Sequence, residues 1–166
     1  MVRLERLRAD HAPALLAFER ENRAYFARSV PDRGDAYFTD FAACHAARLA
    51  EQATGGIHFH VVLDDDDGGD GAGGRLIGRV NLIDVEQGSA ELGYRVGERA
   101  AGRGVATAAV AALCRLAATT YGLTSLTART TLDNPASRTV LERNGFTVVE
   151  RIALDGRPGG RYERAL

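Results

Sequence analysis

The stretch GERAAGRGVATAAV, Gly97 to Val110, sets Gly102 and Gly104 directly before an alanine-rich run that has no helix breaker. Glycine takes positive φ at no steric cost and lets a ligand come close to the main chain. The first four amides of a helix have no partner inside it, and the helix dipole adds partial positive charge there. A strand, a glycine loop and a helix N-terminus in that order therefore make an anion site. Arg99 and Arg103 supply positive charge at its rim. The same glycines would also serve a plain strand-to-helix turn. The rival phosphate motifs are missing: there is no G-x-x-x-x-G-K-S/T, and Gly102-Arg103-Gly104 followed by Val-Ala-Thr is not G-x-G-x-x-G.

A second group of polar residues is LDNPASRTVLERNGF, Leu132 to Phe146. Asn134 suits a helix N-cap, Pro135 the first helical position and Gly145 the residue just past the end. Ser137 and Arg138 fall in the first turn. Glu91 lies in SAELGYRV, an alternating strand that directs it toward a neighbouring arginine such as Arg79 or Arg95. His58 and His60 share one strand face but lack a third ligand, so no metal site is expected. His45 falls in register with Phe41 and Leu49 and is read as structural.

Several elements must position these groups. VRLERL alternates as a short strand. Asp10 is placed to cap the next helix, with Pro13 in its first turn. Ser29–Asp35 reads as a loop, and helical spacing runs from Asp35 through Phe38, Phe41, Ala42, His45 and Leu49 until Gly55-Gly56. Ile57–Leu63 and Arg75–Val85 are strands of a hairpin whose tip, Asp64–Gly74, is too polar to bury. That tip lacks the ligand alternation and closing glutamate of a calcium loop. Ser89–Val96 is a strand with Ala90, Leu92, Tyr94 and Val96 on one face. A helix then runs to about Gly122, LTSLTARTT resumes the period of two, and a hairpin turning at DGRPGG closes the chain. Strands that come both as hairpins and alternating with helices predict an α/β (α+β) fold: a largely antiparallel, twisted, mixed sheet.

The 166 residues suit one domain, 1–166. A net charge of −1 argues against a nucleic-acid partner. No apolar run is long enough to span a bilayer, and the charged start is no secretory signal. The two cysteines, Cys44 and Cys114, form no disulfide framework and read as small packing residues. A reduced, cytoplasmic setting is expected.

Arg99-Ala100-Ala101-Gly102-Arg103-Gly104, between a strand and a helix, fits the pattern Gln/Arg-x-x-Gly-x-Gly/Ala. It resembles the acetyl-CoA pyrophosphate loop of the GNAT superfamily of N-acetyltransferases. AELGYRV resembles that family's fourth strand, and LDNPASRTVLERNGF resembles the Asn-x-x-Ser … Gly-Phe segment of the branch that contains ribosomal-protein N-terminal acetyltransferases. The resemblance spans about Gly78 to Phe146 and implies a single GNAT-like domain of about seven strands and four helices. It implies acetyl-CoA as cosubstrate and a primary amine, on a protein N-terminus or a small molecule, as acceptor. It places the pyrophosphate on the amides from Gly102 through Arg103, Gly104 and Val105 to Ala106, with Arg99 nearby, and the pantetheine arm along Tyr94, Arg95 and Val96. Asn134 would also lie near the pantetheine, Ser137 would protonate the departing thiolate, and Arg138 would meet a CoA phosphate. Many members place a tyrosine seven residues after the asparagine, where this chain has Leu141. Glu91 is the candidate base, with Glu150 and Asp155 as alternatives. The segment Glu19–Phe38, with Tyr25, Phe26, Tyr37 and Phe38, would line the acceptor groove. Family members are often dimers, and the chain is expected to be a monomer or a homodimer. Leu141 and the unsettled base leave open a CoA-binding module without turnover, and the loop alone would also suit another pyrophosphate nucleotide.

Overall fold

Alternation and capping set the elements. The structure, a computed structural model, describes residues 1–66 and 73–166. The strands are β1 (Val2–Arg6), β2 (His58–Asp64), β3 (Arg75–Glu86), β4 (Ser89–Val96), β5 (Ser125–Thr131), β6 (Thr147–Leu154) and β7 (Arg157–Ala165). The helices are α1 (Ala12–Glu21), α2 (Arg23–Ala27), α3 (Asp35–Thr39), α4 (Phe41–Ala53), α5 (Val105–Thr119) and α6 (Pro135–Arg143). One sheet has the order β1-β2-β3-β4-β5-β7-β6, and within it only the β4–β5 pair is parallel.

Both faces of the sheet are covered, which explains why β2 is buried along its whole length. Phe59, Val61 and Leu63 pack with Leu15, Phe18, Phe26 and Phe41 of the helices before β2. On the other face Val62, Val80, Leu82 and Leu92 pack against Val110, Leu113 and Ala117 of α5 and Val140 and Leu141 of α6. Leu82, Leu113 and Leu126 have no exposed surface, and each such side chain stabilises the fold by about 1.5–3 kcal/mol.

Three expectations change. The described residues contain six α-helices rather than about four, because Glu19–Phe38 itself folds into short turns and the run from Asp35 breaks at Asp40. Asp10 does not cap α1: it sits inside a 3-10 turn, Ala9–His11, and accepts from Arg8 Nε at 3.0 Å. There, His11 Nδ1 instead accepts from the Arg8 amide at 2.9 Å. The last hairpin turns on Asp155-Gly156 alone, with φ +50° and +77°, so Pro158, Gly159 and Gly160 belong to β7. Of the polar tip Asp64–Gly74, residues 67–72 lie outside the described residues.

His45 is structural as expected: its Nε2 meets the Arg8 carbonyl at 3.0 Å and its ring stacks on Phe41. His58 and His60 face the turn that follows α5, where the His58 ring stacks on Tyr121 and His60 Nε2 meets the Tyr121 hydroxyl at 2.9 Å. Burial lowers the His60 pKa to about 4. Among the described residues no helix is long and apolar enough to cross a membrane.

Candidate functional site

β4 and β5 pair only at Ser89–Glu91 with Ser125–Thr127. Beyond that point β4 stays on β3 to Val96 and β5 stays on β7 to Thr131, so a gap opens between them. The Gly97 amide donates to the Ile77 carbonyl at 2.9 Å. Antiparallel pairs alternate in the direction of their backbone groups. That alternation turns Gly93 and Arg95 toward β3, and turns the amides and carbonyls of Leu92, Tyr94 and Val96 toward the gap. Arg95, expected to bond a ligand edge-on, therefore faces Arg79 through its backbone.

The glycine loop closes the gap at the N-terminus of α5. Gly102 and Gly104 both have φ +74°, the left-handed conformation that glycine alone takes freely, and a Cβ on either would meet only open space. Gly104 is the N-cap of α5, and among the described residues no side chain accepts from that first turn. The amides of Val105, Ala106 and Thr107 are thus free to donate outward. The loop is held from behind. Asn22 Oδ1 accepts from the Glu98 amide at 2.9 Å, while its Nδ2 donates to the Phe18 carbonyl at 2.9 Å.

Together these elements enclose a cavity of about 990 Å³. Gly102, Gly104, Val105 and Ala106 line one end, and Tyr94, Arg95 and Val96 line the strand wall. Asn134 and Ser137 line the side supplied by α6. Asn134 caps α6 as its spacing predicts, its Oδ1 accepting from the Ser137 amide at 3.2 Å, which leaves the Ser137 hydroxyl free of that duty. Tyr94 is beside Ser137: burial raises the Tyr94 phenol, and the serine side chain acts in the opposite sense. Leu141, at the position of the family's tyrosine, is a core side chain with no proton to give.

The arginines lie elsewhere. The side chains of Arg99 and Arg103 pair with Glu21 and Asp64, each at 3.0 Å, and do not line the cavity. Arg138 also lies outside it, with Nη1 donating to the Leu132 carbonyl at 3.3 Å. Glu91 lines the cavity, but its partner is Arg129 on β5 rather than Arg79 or Arg95. The parallel pairing of β4 with β5 brings these two together, and sequence spacing does not show it. Asp155 lines the cavity, whereas Glu150 pairs with Arg161 at 3.1 Å. Of the four aromatics in the front segment, Tyr25 and Phe26 reach the lining and Tyr37 and Phe38 do not.

Sequence reasoning missed Glu19. It is 1% exposed and lies within 3.1 Å of both Arg33 and Arg79 and 3.5 Å of Arg95. Arg79 stacks on Phe59, Arg95 on Phe26 and Arg33 on Tyr37. Burial and the neighbouring Arg33 lower the Arg95 pKa to about 10, which still leaves it charged at neutral pH. Apolar-looking helical spacing around Leu15, Leu16 and Phe18 concealed a buried carboxylate one position further on.

The family model of the acetyltransferase (GNAT) domain matches residues 2–147. The chain belongs to the GNAT family. This GNAT chain shares its fold with a ribosomal-protein-S5-alanine acetyltransferase from Vibrio fischeri (TM-score 0.87, 16% identity, 99% of this chain and 92% of that one). It is also similar to Mycobacterium smegmatis RimJ in complex with CoA-disulfide (TM-score 0.86, 23% identity, 99% and 81%). A third similar structure is the spermidine N-acetyltransferase of Vibrio cholerae with CoA and spermine (TM-score 0.77, 18% identity, 99% and 95%). None of the curated proteins matches this GNAT sequence.

Proposed function

We propose that this GNAT domain transfers an acetyl group from acetyl-CoA to a primary α-amine, such as a protein N-terminus, by direct attack of the amine on the thioester. One observation carries the reading: the gap between β4 and β5 runs from an uncapped helix N-terminus to a strand edge with free amides, with Ser137 on one side and Glu91 on the other.

The residues present fit such a ligand. Amides from Gly102 to Ala106 hold the pyrophosphate, and the open space over the two glycines admits it. The gap-facing backbone of Tyr94 and Val96 bonds the pantetheine as an added strand would. A gap-facing amide of β4 polarises the thioester carbonyl, where negative charge grows during attack; such a donor lowers the barrier by about 3 kcal/mol. Glu91 takes the proton from the attacking amine, with Arg129 fixing its carboxylate. Ser137, beside Tyr94, gives a proton to the CoA thiolate. An α-amine, with a pKa of about 7.7–8.0, is roughly a tenth neutral at pH 7 and asks little of that base, whereas a lysine at about 10.4 is almost wholly protonated. One catalytic domain spans 1–166, and a cytoplasmic setting supplies acetyl-CoA and keeps Cys44 and Cys114 reduced.

The test is incubation with acetyl-CoA and two acceptor sets, N-terminal peptides and polyamines, with thiol release followed over time. Release above background with peptides supports the reading. Tight CoA binding with no release for any amine would make the protein a CoA-binding module instead.

A further inference from the structure

The β4 face opposite α5 carries Glu91, Gly93 and Arg95, so it floors the acceptor half of the cavity. Its charges do not balance. Glu91 is matched by Arg129. Glu19, a single carboxylate, faces three guanidinium groups. Arg33 donates to it through Nε and Nη2 at 3.1 and 3.2 Å, and Arg79 through Nη1 at 3.1 Å. The Arg95 guanidinium comes only to 3.5 Å and, among the described residues, makes no hydrogen bond. It is nevertheless the member of the three that lines the cavity. The acidic pair Asp32 and Asp35 is turned to Arg23, at 2.7 and 2.8 Å, and does not offset it.

A half-buried guanidinium with unused donors, facing a ligand cavity and backed by two further arginines, attracts an anion and repels a cation. Charge-assisted bonds to a carboxylate are the strong ones, and arginine suits them by its planar fork. We propose that Arg95 selects acceptors carrying a carboxylate a few residues beyond the amine, namely peptides with an acidic residue at the fourth or fifth position, and rejects polyamines. The position follows from spacing. Glu91 and Arg95 lie four residues apart on one strand face, about 13 Å at 3.3 Å per residue. An extended peptide whose amine sits near Glu91 brings its fourth or fifth residue opposite Arg95. Phe26 beneath the guanidinium, itself packed on Tyr25, keeps the site partly dry, which strengthens the pairing.

This inference rests on the acetyl-transfer reading, and the experiment separates the two. Thiol release from acetyl-CoA is measured with Ala-Ala-Ala-Asp-Asp-Ala amide, Ala-Ala-Ala-Asn-Asn-Ala amide and spermidine, for the natural protein, Arg95→Met and Arg95→Lys. The natural protein should favour the acidic over the amide peptide by tenfold or more in kcat/KM, mainly through KM, with spermidine the poorest acceptor. Arg95→Met should bring that ratio below twofold, and Arg95→Lys should restore part of it. A ratio taken within one variant is indifferent to how much of that variant folds. An equal response to both peptides, an unchanged ratio in Arg95→Met, or a preference for spermidine overturns the assignment to Arg95 while leaving acetyl transfer standing. No release above background with any of the acceptors overturns the transferase reading itself.

Discussion

Replacing Gly104 by valine separates what the glycine does for the fold from what it does for a ligand. Its φ of +74° is left-handed, and a branched side chain there costs about 1–2 kcal/mol. A Cβ meets nothing within 4 Å, so no clash adds to that cost. For a chain of this size each kcal/mol lowers Tm by about 2–4 °C, giving a fall of about 2–8 °C. The new side chain projects into the mouth that the free amides of α5 face. A bond from an amide to a charged group contributes about 1.5–3 kcal/mol, so losing one or two of them weakens CoA binding by about ten- to a hundredfold or more. Gly122 supplies the control: its φ is +65°, a Cβ there also meets open space, and it does not line the cavity. Calorimetric titration of CoA and thermal melts of Gly104→Val and Gly122→Val should show similar losses of Tm but weakened CoA binding only in the first. Equal CoA affinity in the two variants would refute the cradle.

Ser137→Ala keeps the cap, because Asn134 bonds the Ser137 amide and not its hydroxyl; kcat should fall at least tenfold while the KM for acetyl-CoA stays within about twofold, as steady-state kinetics will show. Glu19→Leu strips the counter-ion from three arginines and should cost about 3–5 kcal/mol in urea unfolding at pH 7. The His60 pKa is depressed in the folded state to about 4 from 6.5, so the unfolded chain binds the extra proton between those values. The stability that the neutral histidine contributes is complete above about pH 6.5 and is lost as pH falls toward 4, amounting to about 3 kcal/mol. Urea unfolding at pH 7.5 and 4.5 should show that loss, and His60→Gln should flatten it.

The parts of the site legible in the sequence are those set by local chemistry. Ser89–Val96 reads as a strand because its alternation is clean, and Asn134, Pro135 and Gly145 bound α6 because caps act over three or four residues. Gly102 and Gly104 are legible for the same reason. What the sequence concealed depends on residues far apart in the chain. Glu19 meets Arg79 sixty residues on, and Glu91 meets Arg129 through the parallel pairing of β4 with β5. Which backbone groups of β4 face the gap depends on its register with β3, so Tyr94 and Val96 point to the ligand side while Arg95 points away. The extra short helices of the front segment arise where tertiary packing of Phe26 and Phe41 outweighs weak local signals.

The most direct test is a crystal structure of the protein soaked with CoA. The pyrophosphate should rest on the amides between Gly102 and Ala106, with the pantetheine entering between β4 and β5 alongside Tyr94 and Val96. A diphosphate bound elsewhere, or a gap left empty at saturating CoA, would contradict the account.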